Sequence, residues 1–371
     1  MSKTASDGAT RDLSKVRSLV VKVGSSSLTA ADGGLDEAQV HRLAAELGRV
    51  RRKGISCVLV SSGAIAAGLA PLGLKRRPTD IPSLQAAASV GQGVLMHSYQ
   101  RAFARRKMNV GQVLLTQDDF IRRKGYLNAR AALNRLLALG VVPIVNENDT
   151  VAVEEIRFGD NDRLAALVAN LVHADLLVIL SDVEGVHASD PSRGGGTEVI
   201  DQIEDLAALP VQRSTAGSHI GSGGIVSKIE AAKIATASGV GVVVANGRRE
   251  NVLADVLAGR RVGTYVPPRA LRGPSRKLWI AFAQTPRGAI VVDDGARRAL
   301  VEGGKSLLPA GVVGHRGRFA AGDAVEVETP DGVVFAKGLV NYASDEVDGV
   351  RGRSIRGGGR EIIHRDSLVI L

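Results

Sequence analysis

Cysteine is almost missing from this chain of 371 residues; Cys57 is the only one. A lone thiol builds no disulfide framework, and inside the apolar run 56–60 it reads as a small core residue of a protein kept in a reducing compartment. Aromatic residues make up 3%, which leaves few platforms on which single-stranded bases stack. No stretch reaches the roughly 18 uninterrupted apolar residues of a membrane-spanning helix, and the first eighteen residues lack the apolar core of a signal peptide. The expectation is a soluble cytoplasmic protein with no membrane partner. The formal charge of +10 attracts polyanions without sequence preference, but the lysines and arginines are spread along the chain, so charge alone does not assign nucleic acid as partner.

What the chain does have is a repeated alternation of apolar strands and amphipathic helices. Strands are expected at 19–24, 56–60, 110–115, 141–145, 176–180 and 240–245, each a short run rich in Val, Ile and Leu. Helices are expected at 36–52, 84–107, 126–139, 163–173 and 229–238, the second interrupted by Gly91 and Gly93. This β-α alternation gives an α/β fold, a doubly wound and mostly parallel sheet covered by helices. The prolines and glycines after residue 266 mark a linker. Beyond it lie short strands at 288–292, 324–327, 333–335 and 368–371, a second, smaller β-rich domain. The expected division is 1–266, linker 267–285, and 286–371.

The richest polar segment follows the strand at 141–145. The two stretches 146–149 and 160–162 hold four carboxylates and three amides, Asn146, Glu147, Asn148, Asp149, Asp160, Asn161 and Asp162. Buried ions are costly unless paired, so this cluster is either a solvated turn or a ligand site. Its place after a strand end favours the site, because open α/β sheets bind ligands beyond the carboxyl ends of their strands. Asn161 or Asp162 also suits the N-cap of the helix that follows.

Two lysines stand near glycine-rich turns. Lys22 ends an apolar run and precedes Gly24-Ser25-Ser26; it is either an edge gatekeeper or a phosphate ligand. Lys228 closes Gly221-Ser222-Gly223-Gly224-Ile225-Val226-Ser227, either a flexible linker or a nucleotide loop entering a helix. Neither segment has the phosphate-loop spacing G-x-x-x-x-G-K-[ST]. Ser62, in the small-residue turn Ser61-Ser62-Gly63-Ala64, reads as a helix cap or as a ligand contact.

Taken together, Val21-Lys22-Val23-Gly24-Ser25-Ser26, Ser61-Ser62-Gly63-Ala64-Ile65-Ala66-Ala67-Gly68, Asn146-Glu147-Asn148-Asp149, Gly159-Asp160-Asn161-Asp162 and the segment 221–228 resemble the amino-acid kinase family. The resemblance is strongest to its glutamate-phosphorylating branch, which carries a C-terminal PUA-like domain, and it covers nearly the whole chain. It implies ATP-dependent phosphorylation of the γ-carboxylate of L-glutamate, the first step of proline biosynthesis. It implies that Lys22 and Lys228 hold the transferring phosphoryl group and that Asp162 orients them. Ser62, Asp149 and Asn161 become glutamate ligands with Asp160 beside them. Lys22, Ser181, Asp182 and the segment Ser222, Gly223, Gly224, Ile225, Val226, Ser227 and Lys228 become ATP contacts. Ser222, Ile225 and Ser227 stand where the family often has Thr, Met and Thr. The cofactors implied are ATP and Mg²⁺, the metal bridged by ATP phosphates rather than caged by protein ligands alone. Proline as feedback inhibitor and assembly into a homo-oligomer are implied as well. The alternatives are an acetylglutamate or aspartate kinase of the same fold, or an RNA-binding protein using Arg351, Arg353, Arg356, Arg360 and Arg365 of the PUA-like domain.

Overall fold

The structure is a computed structural model that describes residues 11–30, 33–116, 119–120, 122–151, 161–187, 198–206, 224–269, 286–353 and 360–371. The chain divides into two compact units, Met1–Arg272 and Gly273–Leu371. Most of the linker expected at 267–285 lies outside the described residues. Its start is tied to the first unit, because the Arg269 N–H donates to the Thr236 carbonyl at 3.0 Å.

The first unit is built on seven strands: β1 Ser18–Val23, β2 Ser56–Ser61, β3 Val110–Leu115, β4 Val142–Glu147, β5 Leu176–Ser181, β6 Gly241–Asn246 and β7 Thr264–Val266. Their order is β3-β4-β2-β1-β5-β6-β7, parallel throughout except for the antiparallel pair β6–β7. β1 and β5 are central, and helices cover both sheet faces, so their residues are apolar without alternation: Leu19, Val20, Val21 and Val23, and Leu176 through Leu180, are all buried. From β1 the chain moves to β2 on one side, whereas β5 continues to β6 on the other. The topological switch point therefore lies between β1 and β5, where a crevice opens at the strands' carboxyl ends.

Several boundaries differ from the sequence expectation, each for a local reason. β4 runs on through Asn146 and Glu147, both buried, so half of the stretch 146–149 is strand rather than loop. The helix expected at 163–173 spans Asn161–Leu171, so Asn161 and Asp162 are its first two residues and not its N-cap. The helix expected at 229–238 starts four residues earlier, as Ile225–Ala237, which puts Lys228 inside its first turn. The long helix Ile81–Ala104 is continuous. Its Gly91 is a contact instead of a break: a Cβ there would lie 1.7 Å from the Ala64 carbonyl oxygen, and one at Gly68 would lie 1.9 Å from that of Ala87. These two glycines let the helix Ala64–Leu69 rest on Ile81–Ala104, which holds the turn after β2 in place.

The second unit carries β8 Gly288–Val292, β9 Val312–Gly317, β10 Ala324–Glu328, β11 Val334–Leu339 and β12 Leu368–Ile370 in the order β12-β11-β10-β8-β9. β8 and β10 pair in parallel and the other neighbours are antiparallel. Ile290, Val325, Val327, Phe335, Ala336, Ile362 and Ile363 form its own core.

Candidate active site

The carboxyl ends of β1, β2, β4 and β5 and the first turns of the helices Asn161–Leu171 and Ile225–Ala237 meet at the crevice. Their centre is Asp162, which is 0% exposed. Its Oδ1 lies 2.5 Å from Lys22 Nζ and its Oδ2 lies 3.2 Å from Lys228 Nζ. Both lysines are buried, Lys22 one residue from the end of β1 and Lys228 four residues into its helix. Three charges buried together are tolerable only as partners, so one carboxylate bridging two ammonium groups is what allows both lysines to lie this deep. Ser227 Oγ lies 3.1 Å from the same Asp162 oxygen and 2.9 Å from the Gly224 carbonyl, two acceptors for its one hydrogen.

Next to this charge centre is an amide and hydroxyl network. Asn161 Nδ2 lies 2.9 Å from the Ser61 carbonyl, from Ser62 Oγ and from Asn146 Oδ1. An amide nitrogen has two hydrogens, so one of them is shared among these acceptors. Asn146 Oδ1 also accepts from the Glu147 N–H at 2.9 Å. Adjacent residues of one helix thus serve two neighbouring chemistries, Asp162 a cationic pair and Asn161 a neutral polar pocket. Gly63, with φ of 96°, caps the helix Ala64–Leu69 in the left-handed region that favours glycine, so Ser62 is one residue short of the cap position.

Asp149 lies half-buried in the turn after β4, where the Val151 N–H donates to the Asn148 carbonyl. On the β5 side Ser181 is buried and donates through Oγ to Asp182 Oδ1 at 3.0 Å, while Asp182 itself is exposed. Gly224 and Ile225 are exposed at the start of their helix, and Val226 is half-buried. Asp160, Ser222 and Gly223 lie outside the described residues. Sequence reasoning passed over Ser61 and Asn146 as individual contributors. Both belong to motifs it singled out, but an Asn at a strand end was taken for loop. Among the described residues there is no group of three or more His, Cys, Asp or Glu side chains able to hold a metal ion, and no helix long and apolar enough to cross a membrane.

The pattern of the Amino acid kinase family matches residues 17–246, and that of the PUA domain matches residues 288–356. The chain belongs to the amino acid kinase family. Within it, the chain is 54% identical to the glutamate 5-kinase of Streptomyces coelicolor, spanning 98% of this chain and 99% of that one. It is 51% identical to the glutamate 5-kinase of Salinispora arenicola over 96% and 98% of the two chains. Among solved structures, the carbamate kinase of Giardia aligns with a TM-score of 0.50 at 18% identity, covering 69% of this chain and all of that one, a likeness of fold. In this family member the arginines considered for RNA are partly engaged. Arg351 pairs with Asp348 at 3.5 Å and Arg365 with Asp366 at 3.9 Å, while Arg356 lies outside the described residues.

Proposed function

We propose that the chain transfers the γ-phosphoryl group of ATP to the γ-carboxylate of L-glutamate, giving L-glutamyl 5-phosphate in the first step of proline biosynthesis. The observation that carries this reading is the Lys22–Asp162–Lys228 bridge at the switch point of the sheet. The relatives named glutamate 5-kinase, at about half identity over nearly the full chain, supply the choice of acceptor.

The chemistry needs what the site offers. A γ-carboxylate, with a reference pKa near 4.3, is ionised at neutral pH and attacks phosphorus without a general base. Catalysis then consists of alignment and of neutralising charge on the phosphoryl oxygens, the work of two ammonium groups held at a fixed separation. In this reading Lys22 and Lys228 face the transferring group and Asp162 sets their positions. Ser62, Asn161, Asp149 and Asp160 hold glutamate, the acids meeting its ammonium. Ser181, Asp182 and the segment 222–228 hold the nucleotide. Mg²⁺ on the nucleotide phosphates supplies further charge neutralisation when bound, and the two lysines are the chain's own share of that task. Feedback by proline and assembly into a homo-oligomer belong to the same reading.

The test is ADP release with glutamate, N-acetylglutamate and aspartate run in parallel on the full chain. Turnover with glutamate far above the other two is expected. A preference for N-acetylglutamate or aspartate would keep the fold and overturn the substrate.

A further inference from the structure

Tyr99 lies on the helix Ile81–Ala104 and is 0% exposed, in a core it shares with Leu95, Ala102 and Phe103. A phenol enclosed this way needs a hydrogen-bond partner, because an unpaired buried hydroxyl is costly. Its Oη is 2.8 Å from Ser61 Oγ, and Ser61 Oγ is 3.0 Å from the backbone oxygen of Ser62. A carbonyl oxygen only accepts, so the direction of both bonds follows. Ser61 O–H donates to the Ser62 carbonyl, and Tyr99 O–H donates to Ser61 Oγ. Burial holds the phenol pKa well above its ordinary value of 10.0, which keeps Tyr99 a donor at any working pH.

The relay ends on a residue whose other polar groups are also held. The Ser62 N–H donates to the Val23 carbonyl at 3.2 Å, and Ser62 Oγ accepts from Asn161 Nδ2 at 2.9 Å. Ser62 is thereby fixed from β1, from the helix Asn161–Leu171 and, through Ser61, from the helix Ile81–Ala104. Because the C=O and N–H of a trans peptide point in opposite directions, holding the Ser62 carbonyl also sets the direction of the Gly63 N–H.

We propose that Tyr99 is a positioning residue for the carboxylate substrate: through Ser61 it fixes the Ser62 carbonyl, and with it the Ser62–Gly63 peptide, at the glutamate side of the crevice, where Asn161 holds the Ser62 hydroxyl. This rests on the assignment of Ser62 and Asn161 to glutamate made above. Tyr99 touches no substrate itself, and its effect is confined to one of the two substrates.

Tyr99→Phe keeps the ring and removes the oxygen. It raises KM for glutamate about 2- to 12-fold, the factor that one net hydrogen bond carries, and leaves KM for ATP unchanged. Ser61→Ala does the same, and the double variant is no worse than the more affected single one, because the two hydroxyls act in series. Phe103→Leu, in contact with the same core with its ring centroid 6.4 Å from that of Tyr99, lowers Tm and leaves KM for glutamate alone. A Tyr99→Phe protein with lowered Tm and wild-type KM, or additive effects of Tyr99→Phe and Ser61→Ala, would overturn the proposal and make Tyr99 an ordinary core residue. Wild-type protein without glutamate-dependent turnover would remove both this proposal and the function it rests on. Wild-type turnover with an unaltered KM in Tyr99→Phe would remove this one alone.

Discussion

Replacing Asp162 by Asn keeps the side chain's size in a position that is 0% exposed and removes the carboxylate that bridges Lys22 and Lys228. The amide oxygen accepts from one ammonium group, and the amide nitrogen, a donor, then faces the other. Two buried cations are left beside each other without their common carboxylate. Removing one partner of a buried ion pair costs about 3–5 kcal/mol. For a unit of this size each kcal/mol lowers Tm by roughly 2–4 °C, so the expected fall is about 6–20 °C. Catalysis suffers separately, since both lysines lose the group that aims them; a drop in kcat of about 10²-fold or more matches the removal of one preorganised electrostatic group. Thermal melting by circular dichroism and initial rates of ADP release on the full chain read the two effects. A variant with unaltered Tm and near wild-type kcat would show that Asp162 neither compensates the lysines nor orients them.

Asp149→Asn is expected to raise KM for glutamate about 10- to 150-fold, the weight of one charge-assisted bond, with KM for Mg·ATP nearly constant; a raised Mg²⁺ requirement with normal glutamate affinity would make Asp149 a metal ligand. Two glycines of one helix should part company in thermal melts. Gly91→Ala, whose Cβ meets the Ala64 carbonyl at 1.7 Å, should lose about 1–3 kcal/mol or more. Gly93→Ala, with nothing within 4 Å of its Cβ, should gain about 0.5–1 kcal/mol from helix propensity, and the reverse order would refute the contact. Glu46 accepts from the Leu253 N–H at 2.9 Å at the start of the helix Val252–Leu257, and burial outweighs the backbone N–H groups to raise its pKa above 4.5. A raised carboxyl pKa contributes stability that is present below 4.5 and lost as pH climbs through the folded-state value. The difference in Tm between Glu46→Gln and wild type should therefore shift in favour of the variant from pH 4.5 upward, and a difference that is flat or moves the other way would contradict that sign.

The central strands were legible because a strand buried on both faces is simply an apolar run, as 176–180 shows. The far side of each run was harder to read. Asn146 and Glu147 look like loop residues, but both are buried at the end of β4, where Asn146 Oδ1 takes bonds from Asn161 and from the Glu147 N–H. β7 is only three residues long, and β9 carries His315 and Arg316, so neither has a pattern to announce it. Gly91 was read as a break because helix propensity is local, whereas the helix that presses on it is supplied by the fold. At the site, the two lysines and the acid cluster were visible as separate segments. That Asp162 bridges both lysines while Asn161 joins the neighbouring amide and hydroxyl network depends on where the helix begins, which spacing does not define to the residue. Tyr99 gave no signal, since an aromatic in an apolar helical stripe is core until its hydroxyl's partner is seen.

The most direct measurement follows the oxygen that makes the new bond. Glutamate labelled with ¹⁸O in its γ-carboxylate is turned over with ATP in the presence of hydroxylamine, which attacks the acyl carbon and releases phosphate with the bridging oxygen attached. If the γ-carboxylate attacks the γ-phosphorus of ATP, the product is the γ-hydroxamate and the released phosphate carries one ¹⁸O atom. Phosphate without label, or ADP formed without hydroxamate, would mean that the Lys22–Asp162–Lys228 centre does not transfer phosphate to the γ-carboxylate of glutamate.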